Sequence, residues 1–145
     1  MLAASVLLVG SFMGNPALPQ PGAKALALHH PKGVFQITRH PMMWSFALWS
    51  AAHVLVSPSP RVMILSAAIT FLALVGAHMQ DRKKEVLMGD AWATWERRTS
   101  YWPKLGGFGS AGAVPWLGGI GLWLVATWVH IPAIGMAAGL WRWLG

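Results

Sequence analysis

The segment Gly33-Val-Phe-Gln-Ile-Thr-Arg-His-Pro-Met-Met-Trp44 marks the point where a polar loop turns into an apolar helix. Pro41 favours a helix start here, because its fixed φ suits the first turn and its missing N–H costs nothing there. A helix N-terminus also carries unpaired N–H groups and partial positive charge. Arg39 and His40 add further donors, so the segment predicts a site that holds an anionic group at the edge of a bilayer.

The composition of the chain indicates an integral membrane protein. Hydrophobic residues make up 55% of the 145 residues and charged residues 10%, whereas a soluble domain carries about 25% charged residues. The net charge of +7 does not indicate a nucleic-acid partner, because most basic residues lie in the loops that the positive-inside rule assigns to the cytoplasm. The sequence has no cysteine, which excludes disulfides, thiolate metal sites and cysteine nucleophiles.

Four apolar segments alternate with polar loops and predict an all-α membrane bundle. The segments cover residues 1–13, 41–56, 61–79 and 114–144. The last segment fits either one long helix kinked at Pro132 or a helical hairpin. Residues 80–104 predict an amphipathic helix at the membrane interface. We therefore expect about four to five transmembrane helices plus one interfacial amphipathic helix.

Lysine and arginine counts predict the orientation of these segments. Loops 14–40 and 80–112 carry three and six such residues, and turn 57–61 carries one. The positive-inside rule places the two basic loops in the cytoplasm and the turn outside. We expect a multi-pass protein of the bacterial inner (cytoplasmic) membrane. The segment 1–13 is short for a span, so we also expect the single domain, residues 1–145, to lack its N-terminal helices.

Helical geometry separates the histidines by depth. His40 and His53 lie thirteen residues apart on one helix, roughly 20 Å along its axis, so they cannot share a metal ion. His53 and His130 are expected at a similar depth near the outer side, and form the first predicted pair of metal ligands. His40 and His78 are both expected near the cytoplasmic edge and form the second predicted pair.

An aromatic and sulfur-containing stripe leads to His53. Met42, Phe46, Trp49 and His53 follow at spacings of four, three and four residues, which places them on one helix face. A flat apolar cofactor with a histidine ligand would suit such a face, and helix packing alone also explains it. These residues and His130 are the candidate cofactor-binding set.

Asp81 is the carboxylate to note, because it directly follows the third apolar segment. At that position it can orient His40 or His78, or pair with Arg39. Arg39, His40 and Asp81 are therefore the candidate catalytic residues.

The segment 33–53 resembles the NnrU family of bacterial membrane proteins, which includes the plant 15-cis-zeta-carotene isomerases. The similarity continues at residues 81–84, 89–92 and 98–103, and in Asn15-Pro16 and His130-Ile-Pro132, so it spans most of residues 14–135. The resemblance implies a multi-helix membrane protein linked to nitric oxide and nitrite metabolism (denitrification) or to isomerase chemistry.

The isomerase branch is similar to a haem b enzyme that shifts a cis double bond in a carotenoid through redox-linked ligand exchange. The resemblance therefore implies haem b as cofactor, His53 as an iron ligand and Asp81 as an important carboxylate. It implies a hydrophobic polyene or lipid as substrate, in contact with the lipid bilayer. Leu72 stands where that branch has another histidine. The second haem ligand would belong to an N-terminal helix, and within this chain His130 is the candidate substitute.

A second resemblance leads to another class of enzyme. Arg39-His40-Pro41, a hydrophobic hairpin and the Gly89-Asp-Ala-Trp92 segment are similar to isoprenylcysteine and phospholipid methyltransferases. That resemblance implies S-adenosylmethionine as the bound cofactor. Met42-Met43-Trp44 stands where those enzymes favour an aromatic-glycine step. A non-enzymatic membrane accessory protein is the third alternative.

Overall fold

The computed structural model describes residues 1–144, and the regular elements within that range are all helical. The α-helices are α1 (Leu2–Gly10), α2 (Ala23–Leu28), α3 (Pro41–Val56), α4 (Pro60–Met88), α5 (Asp90–Arg98) and α6 (Ala113–Ile134). Short 3₁₀ segments cover Gly33–Gln36, Leu105–Ser110 and Gly139–Trp143. The prediction of an all-α fold is confirmed.

Prolines begin the two helices of the central hairpin. Pro41 opens α3 and Pro60 opens α4, where the side chain of Ser59 accepts a hydrogen bond from the Val62 N–H at 3.4 Å. Gly89 ends α4 with a φ of +55°, a value that side-chain-bearing residues rarely adopt. The chain turns back there, so α5 returns along the end of α4.

The buried core lies where α1, α2, α5 and the loops meet. Trp92 and Trp95 of α5 are buried in it beside Phe35, and the rings of Phe35 and Trp95 meet edge to face with centroids 5.6 Å apart. α2 packs on α5, α3 packs on α4, and α1 packs against both α3 and α6. The start of α3 is thereby held between α4 and the segment that follows α5.

Two helices within residues 1–144 are long and apolar enough to cross a membrane. The most apolar windows of α4 and α6 have mean hydropathies of 2.1 and 1.6, yet only 17% and 11% of their residues are buried. A core helix of a soluble protein would instead be mostly buried. The exposed side chains include Leu72, Val125 and Trp128. Both helices therefore have the length and surface of lipid-facing segments.

The expected number of four to five membrane-spanning helices was too high for the described residues. α3 has 16 residues and α1 has nine, whereas a span needs about 20. The segment 114–144 also forms neither one long helix nor a hairpin. α6 ends at Ile134, two residues after Pro132, and Gly135 with a φ of +67° stops it. Only a short 3₁₀ segment follows.

The predicted interfacial helix over residues 80–104 is divided between two elements. Residues 80–88 continue α4, because the first conformational break after Pro60 is Gly89. The amphipathic part is α5 alone, with Trp92 and Trp95 buried and Arg97 and Arg98 exposed. The apolar face of α5 is covered by the chain's own core, so α5 packs as a folded element and does not present that face to lipid.

Candidate functional site

The strongest polar arrangement in the described chain joins the start of α3 to the last turns of α4. The Nε of Arg39 lies 3.1 and 3.0 Å from the two carboxylate oxygens of Asp81, and its Nη2 lies 2.6 Å from Oδ2. The Nε2 of His40 lies 2.9 Å from Asp81 Oδ1. Of the partners that the sequence allowed for Asp81, the structure therefore shows Arg39 and His40. We call Arg39, His40, Gln80, Asp81 and Glu96 the ion-pair cluster.

Glu96 adds a second carboxylate to Arg39 from the side of α5. Its Oε1 lies 3.3 Å from Arg39 Nη2. Burial raises the pKa of the Glu96 carboxyl above its usual value, and the charge of Asp81 acts in the same direction, while Arg39 opposes both. Because two carboxylates already neutralise Arg39, the cluster offers less positive charge to an anionic ligand than the sequence alone indicated.

Tyr101 closes the cluster from the segment that follows α5. The guanidinium of Arg39 lies 5.4 Å from the centre of the Tyr101 ring, within the range of a cation–π contact. The Tyr101 hydroxyl donates to the Leu74 carbonyl at 2.9 Å, and the N–H of Arg39 donates to Ser100 O at 2.8 Å. Burial, with a further contribution from the charge of Asp81, raises the pKa of the phenol.

His40 finds its partners on α4, but His78 is not one of them. The Nδ1 of His40 lies 3.2 Å from the amide oxygen of Gln80, and the imidazole is fully buried. His78 is exposed, so the second predicted histidine pair is wrong. The reason is rotational, because positions 77 and 81 face inwards on α4 and position 78 faces away.

His53 and His130 form the other predicted pair, and the structure brings them together. Their ring centroids are 6.0 Å apart and the ring planes differ by 30°. Each Nδ1 lies against a backbone carbonyl one turn earlier, at 2.9 Å from Trp49 O and 2.7 Å from Ala126 O. A carbonyl only accepts, so each Nδ1 carries the proton. Each Nε2 of a neutral ring then keeps its lone pair for a ligand.

An apolar cavity of about 350 Å³ begins one turn from this pair. Trp49 and Ala126, whose carbonyls accept from the two histidines, line it together with Phe46, Ile69 and residues of α1. Its volume falls within the roughly 300–1,000 Å³ of small-molecule sites. Two residues of the predicted stripe on α3, Phe46 and Trp49, line this cavity. Met42 is half-buried and is not among the lining residues.

The two histidines carry the donor chemistry that a metal bound in a macrocycle would need. Histidines that bind metals usually donate their other ring N–H to a carbonyl or carboxylate, as His53 and His130 do. No group of three or more His, Asp or Glu residues that could hold a metal ion occurs in residues 1–144. A bare structural zinc ion needs four protein ligands. Haem iron needs fewer ligands from the protein, and His53 or His130 could supply one.

Sequence reasoning missed Glu96, Gln80 and Tyr101. Glu96 appeared as an ordinary charge of an amphipathic segment, and its contact with Arg39 depends on the turn at Gly89. Gln80 precedes Asp81 and gave no signal of its own. Leu72, where the resemblance implies a histidine in the isomerase branch, is 68% exposed on α4.

The fold and the two sites define an all-helical protein with two lipid-compatible helices, a buried ion-pair cluster and a histidine pair beside an apolar cavity. The family model described as NnrU protein matches residues 1–138, so the chain belongs to the NnrU family. This confirms the resemblance seen in the sequence. Comparison with curated proteins and with solved structures found no match.

Proposed function

We propose that this NnrU family protein is a membrane-embedded haem b protein in which His53 ligates the iron. The observation that carries the proposal is the facing pair of His53 and His130, each with Nδ1 bound to a backbone carbonyl and Nε2 free to bind a metal. Bound haem would supply a redox-active iron. The chemistry that fits is redox chemistry or carotenoid-type cis–trans isomerisation.

The chain's own residues would set the orientation and surroundings of the ligand. The Trp49 carbonyl fixes the tautomer and rotation of His53, and the Trp49 ring lies 3.9 Å from the His53 ring, centroid to centroid. His130, held in the same way by Ala126, is the second candidate ligand. Phe46 and Trp49 line the cavity, whose apolar lining favours a polyene or lipid chain.

The proposed setting is the bacterial inner membrane, with α4 and α6 in contact with lipid. The turn between α3 and α4 would face the periplasm and α5 the cytoplasm, as the distribution of lysine and arginine predicts. The ion-pair cluster would then lie at the cytoplasmic edge. Arg39, His40 and Asp81, the proposed catalytic residues, would lie at that edge. His40 is about 20 Å from His53 along the axis of α3.

The test is an absorption spectrum of the detergent-solubilised full chain after reconstitution with haem. We expect a Soret band in the wild type, its loss in His53→Ala, and an altered reduced spectrum in His130→Ala. His78→Ala is the matched control, because His78 is exposed and lies outside the pair. An unchanged Soret band in His53→Ala would rule out the assignment.

Absence of a Soret band from the folded wild type would also contradict the proposal. Binding of S-adenosylmethionine in that case would favour the methyltransferase alternative, and binding of neither would favour an accessory protein. Circular dichroism of each variant checks that the helical fold is retained.

A further inference from the structure

The imidazole of His40 has an oxygen atom opposite each of its nitrogens. Nε2 lies 2.9 Å from Asp81 Oδ1, and Nδ1 lies 3.2 Å from Gln80 Oε1. An ionised carboxylate oxygen and an amide oxygen can only accept hydrogen bonds. Both contacts are therefore hydrogen bonds only if both ring nitrogens carry protons.

The orientation of the Gln80 amide is fixed by a second contact. Its Nε2 donates to the carbonyl oxygen of Ala17 at 3.4 Å. Rotation of the amide by 180° would offer a donor to His40, but it would also place the amide oxygen against the Ala17 carbonyl. With the amide held in this way, a neutral His40 would have one unprotonated nitrogen. The lone pair of that nitrogen would face a lone pair of the Gln80 or Asp81 oxygen, and no hydrogen bond would form there.

Charge balance within the ion-pair cluster also favours a His40 ring with both nitrogens protonated. The charged groups near the ring are Arg39 beside it in sequence, Asp81 of α4, and Glu96 of α5, which reaches Arg39. Tyr101 contributes an uncharged ring with its centroid 5.5 Å away. A protonated His40 makes two positive and two negative charges. A neutral His40 would leave a net negative charge in a site where its side chain has no exposed surface.

From this geometry we infer that His40 is a proton-binding site, held as a doubly protonated imidazolium between Asp81 and Gln80. The proton links three parts of the chain, since His40 precedes α3, Asp81 and Gln80 belong to α4, and Gln80 continues to Ala17 in the loop after α1. Its loss removes one of these hydrogen bonds.

The test uses the full chain in detergent micelles, with ring-¹⁵N-labelled histidine and NMR at pH 7.5. An exposed imidazole is mostly neutral at this pH. We expect one of the six histidines to show two protonated ring nitrogens, and this signal to disappear in His40→Gln. Exposed His78, three residues from Asp81 in the same helix, is the matched control, and His78→Gln should leave the signal in place.

Gln80→Met removes one acceptor without changing His40, and keeps the test decisive if His40→Gln does not fold. We expect the doubly protonated signal to be lost at pH 7.5 in Gln80→Met and kept in Gln80→Glu. A wild type in which all six histidines are neutral at pH 7.5, or an imidazolium signal that is the same in Gln80→Met, would overturn the inference.

Discussion

Arg39 and Asp81 form a two-pronged ion pair across 42 residues of sequence, with Nη2 and Oδ2 2.6 Å apart. The side chains are only 14% and 6% exposed. The pair connects the segment that leads into α3 to the last turns of α4. Because a buried ion pair leaves an uncompensated charge when one partner is removed, this contact should matter more than the surface pairs.

Asp81→Asn should destabilise the fold strongly. The substitution keeps the side-chain volume but leaves Arg39 and His40 without their shared carboxylate, and loss of one partner of a buried pair costs about 3–5 kcal/mol. The measurement is the thermal unfolding midpoint in detergent. Glu85→Gln is the matched control on the same helix, because the Arg82–Glu85 pair is 64% and 37% exposed and should contribute at most about 1 kcal/mol. Equal shifts in the two variants would contradict this view.

Tyr101 should ionise at a higher pH than a free tyrosine. It is the only tyrosine in the chain, so the rise of absorbance at 295 nm reports this residue alone. Burial and the charge of Asp81 raise the pKa of the phenol above its usual 10.0. The unfolded chain then releases the proton first, and stability should fall as the pH rises above 10. The titration should move to lower pH in unfolded protein, and an identical midpoint in folded and unfolded chains would contradict it.

The sequence predicted the polar contacts whose geometry follows from an antiparallel hairpin. The expected neighbours Arg39 and Asp81, and His53 and His130, follow from counting residues along helices at 1.5 Å each. Counting gives depth but not rotation about the helix axis. For this reason Asp81 was placed correctly beside Arg39, whereas exposed His78 was assigned to His40.

The lengths of the helices were harder to predict, because they depend on single backbone positions. α4 continues to Met88 and turns only at Gly89, so a segment that looked interfacial became two elements. Trp92 and Trp95 belong to the segment that was expected at the membrane interface, but the structure buries both in the core with Phe35. Nothing in a hydropathy pattern distinguishes an apolar face that meets lipid from one that meets the protein.

The orientation of the hairpin can be tested with reporter fusions. A fusion within residues 57–61 should show periplasmic activity, and a fusion within residues 97–104 should show cytoplasmic activity, because short loops rich in lysine and arginine stay inside. The two sites flank α4, whose length allows it to cross the membrane once. Periplasmic reporter activity at residues 97–104 would contradict the orientation and would move the ion-pair cluster to the other side.

Gly119 of α6 should be intolerant of any side chain, because it lies directly against the backbone of α1 at Val6. A Cβ added at Gly119 would lie 2.7 Å from the Cα of Val6 and 2.8 Å from its backbone nitrogen, so the helices themselves would have to separate. Such overpacking costs typically about 1–3 kcal/mol, against which alanine regains at most about 1 kcal/mol of helix propensity.

Gly121 lies two residues further along α6, and a Cβ added there would meet nothing within 4 Å. Gly119→Ala should therefore lower the thermal unfolding midpoint in detergent, and Gly119→Val should lower it further, while Gly121→Ala should leave it unchanged or raise it. Similar midpoints for Gly119→Ala and Gly121→Ala would show that α1 does not pack on α6 in this way.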